Sequence, residues 1–98
     1  MQKKEWSQEE YLQYKELNRQ KGIQTLLIDT VNTPIEGTET ILYNPFELKK
    51  YPKGTVLVFY CDTGKSTRER LNEYQKKFPD KRCISLRGGR GYWRKTLV

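Results

Sequence analysis

Apolar residues fall along this chain in two patterns, short unbroken runs and wider helical spacings. The runs are Thr25-Leu26-Leu27-Ile28-Asp29, Thr40-Ile41-Leu42-Tyr43, Thr55-Val56-Leu57-Val58-Phe59-Tyr60 and Arg82-Cys83-Ile84-Ser85-Leu86. The first predicts a strand buried on both faces, as in a parallel sheet, and the others, the last of them interrupted by Ser85, predict strands as well. The third, rich in β-branched and aromatic residues, is the strongest strand signal in the chain. The helical spacings lie between them. Tyr11, Tyr14 and Leu17, with Leu12 at the margin, form one face of a helix running to about Gln20. Ser7-Gln8-Glu9-Glu10 is a capping box at its start, Trp6 stands ready to staple onto Tyr11, and Gly22 suits its end. Leu71, Tyr74 and Phe78 predict a second helix from about Thr67 to Phe78, closed by Pro79. Asn44-Pro45 opens a short helical turn over Phe46 and Leu48. Residues 32–38, with Pro34 and Gly37, are loop, Tyr51-Pro52-Lys53-Gly54 is a turn, and Gly88-Gly89 breaks the last strand. Gly91-Tyr92-Trp93-Arg94-Lys95 is expected to start a closing helix.

Alternation of buried strands with helices predicts one α/β domain over residues 1–98. Its architecture is a small, mainly parallel sheet of four to five strands flanked by helices on both faces. In such folds the working site lies beyond the C-terminal ends of the strands. Cys61 and the residues after it fall there.

Composition removes much chemistry. The chain has 98 residues, enough for one domain with a core of its own, and no histidine. A Ser-His-Asp triad, a Cys-His dyad and histidine metal ligands are therefore excluded, and two cysteines do not make a four-ligand zinc site. No apolar run is long enough to cross a membrane. Met1-Gln2-Lys3-Lys4-Glu5 leads into no apolar segment of the signal-peptide kind. A cytoplasmic protein with reduced thiols is the expectation.

The net charge is +7. Residues 1–54 are balanced, with eight basic and eight acidic residues, while residues 55–98 hold eleven basic and four acidic ones. The whole excess lies in the half that carries Cys61. It points either to an anionic partner (a small anion, an acidic protein or nucleic acid) or to a solvated basic surface.

Cys61-Asp62-Thr63-Gly64-Lys65-Ser66 joins a buried strand to a helix. Successive N–H groups of such a turn form an anion nest, and the helix N-terminus adds partial positive charge. Lys65, Arg68 and Arg70 add formal charge nearby, and all these groups favour a thiolate. Asp62 opposes them unless its side chain points outward. One reading of Cys61 is a nucleophile cradled by amides; the other is a small buried apolar residue at a strand end.

Taken together, Leu26-Leu27-Ile28-Asp29, Asn44-Pro45-Phe46-Glu47-Leu48, the segment from Val56 through Cys61 to Ser66, and Cys83-Ile84-Ser85-Leu86-Arg87-Gly88-Gly89 followed by Trp93 resemble the single-domain rhodanese family. The resemblance runs over essentially the whole chain. It implies a rhodanese-like fold and thiosulfate sulfurtransferase chemistry. Cys61 would take the outer sulfur of thiosulfate or of a persulfide donor and pass it to a thiophilic acceptor. On this reading the backbone N–H groups of Asp62, Thr63, Gly64, Lys65, Ser66 and Thr67 stabilise the charge on Cys61, and Lys65 and Arg68 draw in the anionic donor. A sulfur-donor or acceptor protein is a compatible partner; no cofactor, metal or membrane is called for. The chain departs from the family in having Thr30 after Asp29, Ile35-Glu36-Gly37-Thr38-Glu39-Thr40 in place of a histidine-containing stretch, and no arginine within the loop.

Three other motifs fit less well. Gly64-Lys65-Ser66 resembles a P-loop, but Phe59 stands where that loop needs its first glycine. A cysteine phosphatase of related fold would place Arg after five intervening residues, where Thr67 stands, whereas Arg68 comes one position later. Arg87-Gly88-Gly89-Arg90-Gly91-Tyr92 has the composition of an RNA-binding segment, yet a glycine pair marks a turn first, here one that brings the backbone close to the Cys61 loop. Cys83, alternating with Ile84 and Leu86, is expected in the core. The alternative to the enzyme is a rhodanese-like module that docks a protein or RNA without turnover.

Overall fold

Each of the four apolar runs forms a strand, and a fifth strand appears that no run marks. The computed structural model describes residues 3–95. In chain order the elements are β1 (Glu5–Trp6), α1 (Gln8–Gln20), β2 (Thr25–Asp29), β3 (Ile41–Leu42), α2 (Pro45–Lys49), β4 (Val56–Tyr60), α3 (Lys65–Lys77), β5 (Arg82–Leu86) and a single 3₁₀ turn at Arg90–Tyr92. The strands form one parallel sheet in the order β1-β5-β4-β2-β3. β2 and β4 pair along their whole lengths, Thr25 opposite Val56 through Asp29 opposite Tyr60.

The caps act as the sequence predicts. Ser7 Oγ accepts the Glu10 N–H at 3.2 Å while Glu10 Oε1 accepts the Ser7 N–H at 3.0 Å, completing the capping box of α1. Its other end closes with paired bonds, Ile23 N–H to Asn18 O at 2.8 Å and Gly22 N–H to Arg19 O at 3.1 Å. Asn44 Oδ1 caps α2 by accepting the N–H groups of Phe46 and Glu47.

Alternation along the buried strands divides the core into two layers. Val56, Val58 and Tyr60 pack with Trp6, Tyr11, Leu27, Ile84 and Leu86 beneath α1. Leu57 and Phe59 pack with Leu26, Ile28, Leu48, Leu71, Tyr74, Phe78 and Cys83 beneath α2 and α3. Phe59 stacks on Tyr74 at 4.1 Å with their planes 5° apart, tying β4 to α3. Each such side chain contributes about 1.5–3 kcal/mol by leaving water.

Several expectations need correcting. β1 exists because the edge of β5 offers Ser85 and Leu86 as partners for Glu5 and Trp6; two residues carry no periodicity to announce it. β3 is two residues, not four. Leu17 is 42% exposed, because α1 meets the sheet chiefly through its first two turns, where Gln8 and Tyr11 are buried. α3 begins at Lys65, two residues earlier than expected. No regular helix opens at Gly91: the N–H groups of Arg90 and Gly91 donate to Cys61 O and Asp62 O, and Trp93 is extended. Any helix beyond Lys95 falls outside the described residues. Among those residues, no helix is long and apolar enough to cross a membrane.

The connections leave β2 toward one edge, to β3, and leave β4 toward the other, to β5. The reversal lies between β2 and β4, and the C-terminal ends of strands at such a reversal form the usual crevice of an open α/β sheet. Cys61 is the first residue beyond β4.

Candidate active site

The side chain after Tyr60 points to the α3 side of the sheet, following Leu57 and Phe59. The chain must then reach the first turn of α3 within three residues. Gly64 makes this possible with φ +87°, and a Cβ there would lie 2.9 Å from Gly88 N and 3.0 Å from Leu86 O. The resulting turn wraps the Cys61 sulfur. Gly64 N–H donates to Sγ at 3.1 Å, and Thr67 Oγ1 lies 3.7 Å from it. Cys61 is 4% exposed. Burial alone pushes its thiol up, but hydrogen bonds from the N–H and hydroxyl of Thr67 and the N–H groups of Thr63 and Gly64 outweigh it and hold Cys61 below the ordinary thiol value. The N-terminus of α3 adds to this, since its first turn holds no acidic residue.

The residues expected at this site divide into two groups. Thr63, Gly64 and Thr67 direct hydrogen-bond donors at the sulfur. The Asp62 carboxylate points away from the sulfur, exposed and paired with Arg90, Oδ1 to Nη2 at 3.0 Å. Lys65 and Ser66 are exposed on the first turn of α3, where Lys65 N–H donates instead to Thr63 Oγ1 at 3.4 Å. Arg68 is exposed too, and its guanidinium turns toward Glu5 at 3.9 Å, a carboxylate that Arg87 holds at 3.1 Å. Much of the basic excess is similarly engaged, with Arg94 on Glu9, Lys95 on Glu36 and Lys81 on Asp80. Lys65, Arg70, Lys76 and Lys77 have no ion pair among the described residues.

The Gly88-Gly89 turn braces the loop from the other side. Arg90 N–H donates to Cys61 O at 2.7 Å and Gly91 N–H to Asp62 O at 2.8 Å. With the Arg90–Asp62 ion pair these bonds fasten the chain after β5 onto the chain after β4. Sequence reasoning placed the glycines here but missed Arg90. It also missed Ser85, whose hydroxyl lies 2.9 Å from Thr67 Oγ1. A serine inside the buried apolar run of β5 was the signal available, because a buried hydroxyl needs a partner.

Cys83 differs from Cys61. Both thiols are free. Cys83 lies in the core beneath α3, where burial pushes it up to about 12. Among the described residues no group of three His, Cys, Asp or Glu side chains is arranged to hold a metal ion. Concavities of 260, 130 and 340 Å³ lie elsewhere on the molecule and include neither Cys61 nor the residues from Asp62 to Arg68. The feature that distinguishes this site is the set of donors converging on one sulfur.

The two thiols should separate in an alkylation experiment. Because the folded-state value of Cys61 is lowered, its thiolate persists at pH values where a free thiol, with pKa about 8.5, is protonated, and is lost only as pH falls through the lowered value. Iodoacetamide is expected to label Cys61 with a midpoint below that of free cysteine, while Cys83 stays unlabelled until the protein unfolds. Peptide mass mapping across pH reads both; equal labelling of the two cysteines contradicts the difference in environment.

No family model, curated protein or solved structure matches this chain.

Proposed function

We propose that the protein is a sulfurtransferase of the rhodanese type, with Cys61 as nucleophile and carrier of the transferred sulfur. The observation that carries this reading is the convergence on Cys61 Sγ of the Gly64 N–H at 3.1 Å and the donors of Thr63 and Thr67, at the start of α3. Donors so arranged favour an anionic sulfur, the form that attacks. A single parallel sheet is the kind of fold that the family resemblance implies.

The Cys61 thiolate attacks the outer sulfur of thiosulfate. An S–S bond forms to Sγ, the S–S bond of thiosulfate breaks, and its electron pair departs with sulfite. Cys61 then carries a persulfide with one negative charge. A nucleophilic acceptor, cyanide or a thiolate, attacks the outer sulfur in turn. Its bond to Sγ breaks and returns the electron pair to Cys61 as thiolate. Both half-reactions begin or end with the same anion, so donors that stabilise it serve both. No proton transfer is obligatory, which suits a chain without histidine.

Intact mass spectrometry of thiosulfate-treated protein tests this. The folded chain is expected to gain one sulfur atom and to lose it on addition of cyanide. If neither thiosulfate nor a protein persulfide donor adds sulfur, the proposal is wrong.

A further inference from the structure

Behind the Cys61 sulfur lie two hydroxyls that solvent does not reach. Thr67 on α3 and Ser85 on β5 are both 0% exposed. Thr67 Oγ1 is 2.9 Å from Ser85 Oγ, 3.4 Å from the carbonyl oxygen of Gly64 and 3.7 Å from Cys61 Sγ. Three neighbours thus compete for one hydroxyl proton. The Ser85 hydroxyl has Thr67 as its hydrogen-bond partner among the described residues.

We infer that Ser85 is a positioning residue: its O–H donates to Thr67 Oγ1, leaving the Thr67 O–H to donate to the Cys61 sulfur whenever that sulfur is a thiolate. The opposite orientation has Thr67 donating to Ser85. The Ser85 proton would then point into an apolar interior without an acceptor, a larger penalty than the hydrogen bond returns. The thiolate would also lose a donor. With Ser85 donating, both hydroxyl protons have an acceptor in either state of the sulfur. When Cys61 is a thiolate, the Thr67 O–H points at Sγ. When Cys61 is a neutral thiol or is capped, the same O–H turns to Gly64 O. Thr67 is the moving part, and the bond it accepts from Ser85 polarises its O–H and strengthens its donation to the sulfur. The value of this arrangement for sulfur transfer rests on the rhodanese-type reading, because the thiolate is the attacking group in loading and the leaving group in discharge. The hydroxyl relay itself stands on the distances among the three side chains.

Charged and titratable groups on the elements around Cys61 are the Asp62–Arg90 pair, Lys65, Arg68 and Tyr74 of α3, Asp29 at the end of β2 and Arg87 after β5. Burial pushes the Tyr74 phenol up. The chain has no histidine, and alkylation reads the Cys61 sulfur directly.

The test is the pH profile of iodoacetamide alkylation on folded protein, with thermal melting followed in parallel. Ser85→Ala removes one buried hydroxyl and is expected to raise the Cys61 midpoint by about 0.5–1 pH unit. Thr67→Val is expected to raise it at least as far. Ser85 acts only through Thr67, so the double variant should match Thr67→Val alone. Ser85→Thr, which keeps the hydroxyl, should restore the wild-type midpoint. If Ser85→Ala lowers the melting temperature but leaves the midpoint in place, Ser85 merely packs and the inference is overturned. Additive shifts in the double variant overturn it equally. Sulfur loading from thiosulfate is read separately on the same proteins. Its absence in the wild type removes the sulfurtransferase reading, while the alkylation profiles still decide the relay.

Discussion

Gly89→Ala is expected to dismantle the Cys61 loop, lowering stability by about 2–4 kcal/mol and reducing Cys61 reactivity at least about tenfold. Gly89 adopts φ +57° and ψ −151°, a region essentially confined to glycine. A Cβ there would lie 2.2 Å from Cys61 O, 2.8 Å from Gly64 N and 3.0 Å from the carbonyl carbon of Asp62. All three are backbone atoms, so no flexible side chain can move aside. Relief requires separating the turn after β5 from the loop after β4. That separation breaks the Arg90–Cys61 and Gly91–Asp62 backbone bonds and moves the Gly64 N–H away from the sulfur. For a domain of this size the loss corresponds to a melting point lower by roughly 10–25 °C. Gly37→Ala is the control. Gly37 also has positive φ, +80°, but a Cβ there meets nothing within 4 Å. It should show the backbone penalty alone, about 1 kcal/mol, with normal Cys61 reactivity. If the two variants melt together and alkylate alike, the close approach of Gly89 to the loop is not what holds the site.

Cys61→Ser is expected to abolish sulfur uptake from thiosulfate, by at least about 10³-fold, while leaving the fold within about 1 kcal/mol of the wild type. The serine oxygen accepts the same N–H groups, so the loop keeps its hydrogen bonds. A serine hydroxyl remains protonated in conditions that ionise Cys61, and no general base stands beside it, since the chain contains no histidine and Asp62 is turned away onto Arg90. Fold and chemistry therefore come apart in this variant. Melting curves should overlay, and the mass gain should vanish. Cys83→Ala supplies the opposite case. It removes a buried sulfur from the α3 core layer and is expected to lose stability but to load sulfur normally. Loading that survives in Cys61→Ser and disappears in Cys83→Ala would reassign the carrier.

Elements that owe their form to local or periodic signals were legible. Thr25–Asp29, Val56–Tyr60 and Arg82–Leu86 are strands because each is an apolar run too short for a helix and bounded by turn residues. α1 starts after Ser7 because a serine and a glutamate three residues later satisfy one another's backbone donors, a local event. β1 was not legible, since two residues become a strand only when a neighbouring edge needs partners. The expected closing helix failed for a related reason. The N–H groups of Arg90 and Gly91 are taken by carbonyls about 30 positions away in the chain, and a residue's own propensity does not register such distant acceptors. Charge counting is blind in the same way. The C-terminal half carries the whole excess, yet Arg68 and Arg87 lean on Glu5 and Arg94 on Glu9, acids from the balanced half. Surface pairs of this kind are individually weak, but they change which cations face an incoming anion.

By itself the sequence determined that this is an α/β chain with buried parallel strands, that it offers no histidine to any site, and that Cys61 stands at a strand-to-helix turn with glycine at the bend. These follow from patterns within about a dozen residues, over which hydrophobic period and turn chemistry act directly. The tertiary structure alone decided which groups touch the sulfur. Thr67 lies three residues beyond Gly64, in the first turn of α3, Ser85 comes from another strand, and Gly89 and Arg90 from the segment beyond that strand. Their meeting depends on β4 and β5 pairing in register, Phe59 opposite Ser85. Strand pairing is a long-range event driven by burial of both faces of the sheet, so its consequences are invisible to any local window.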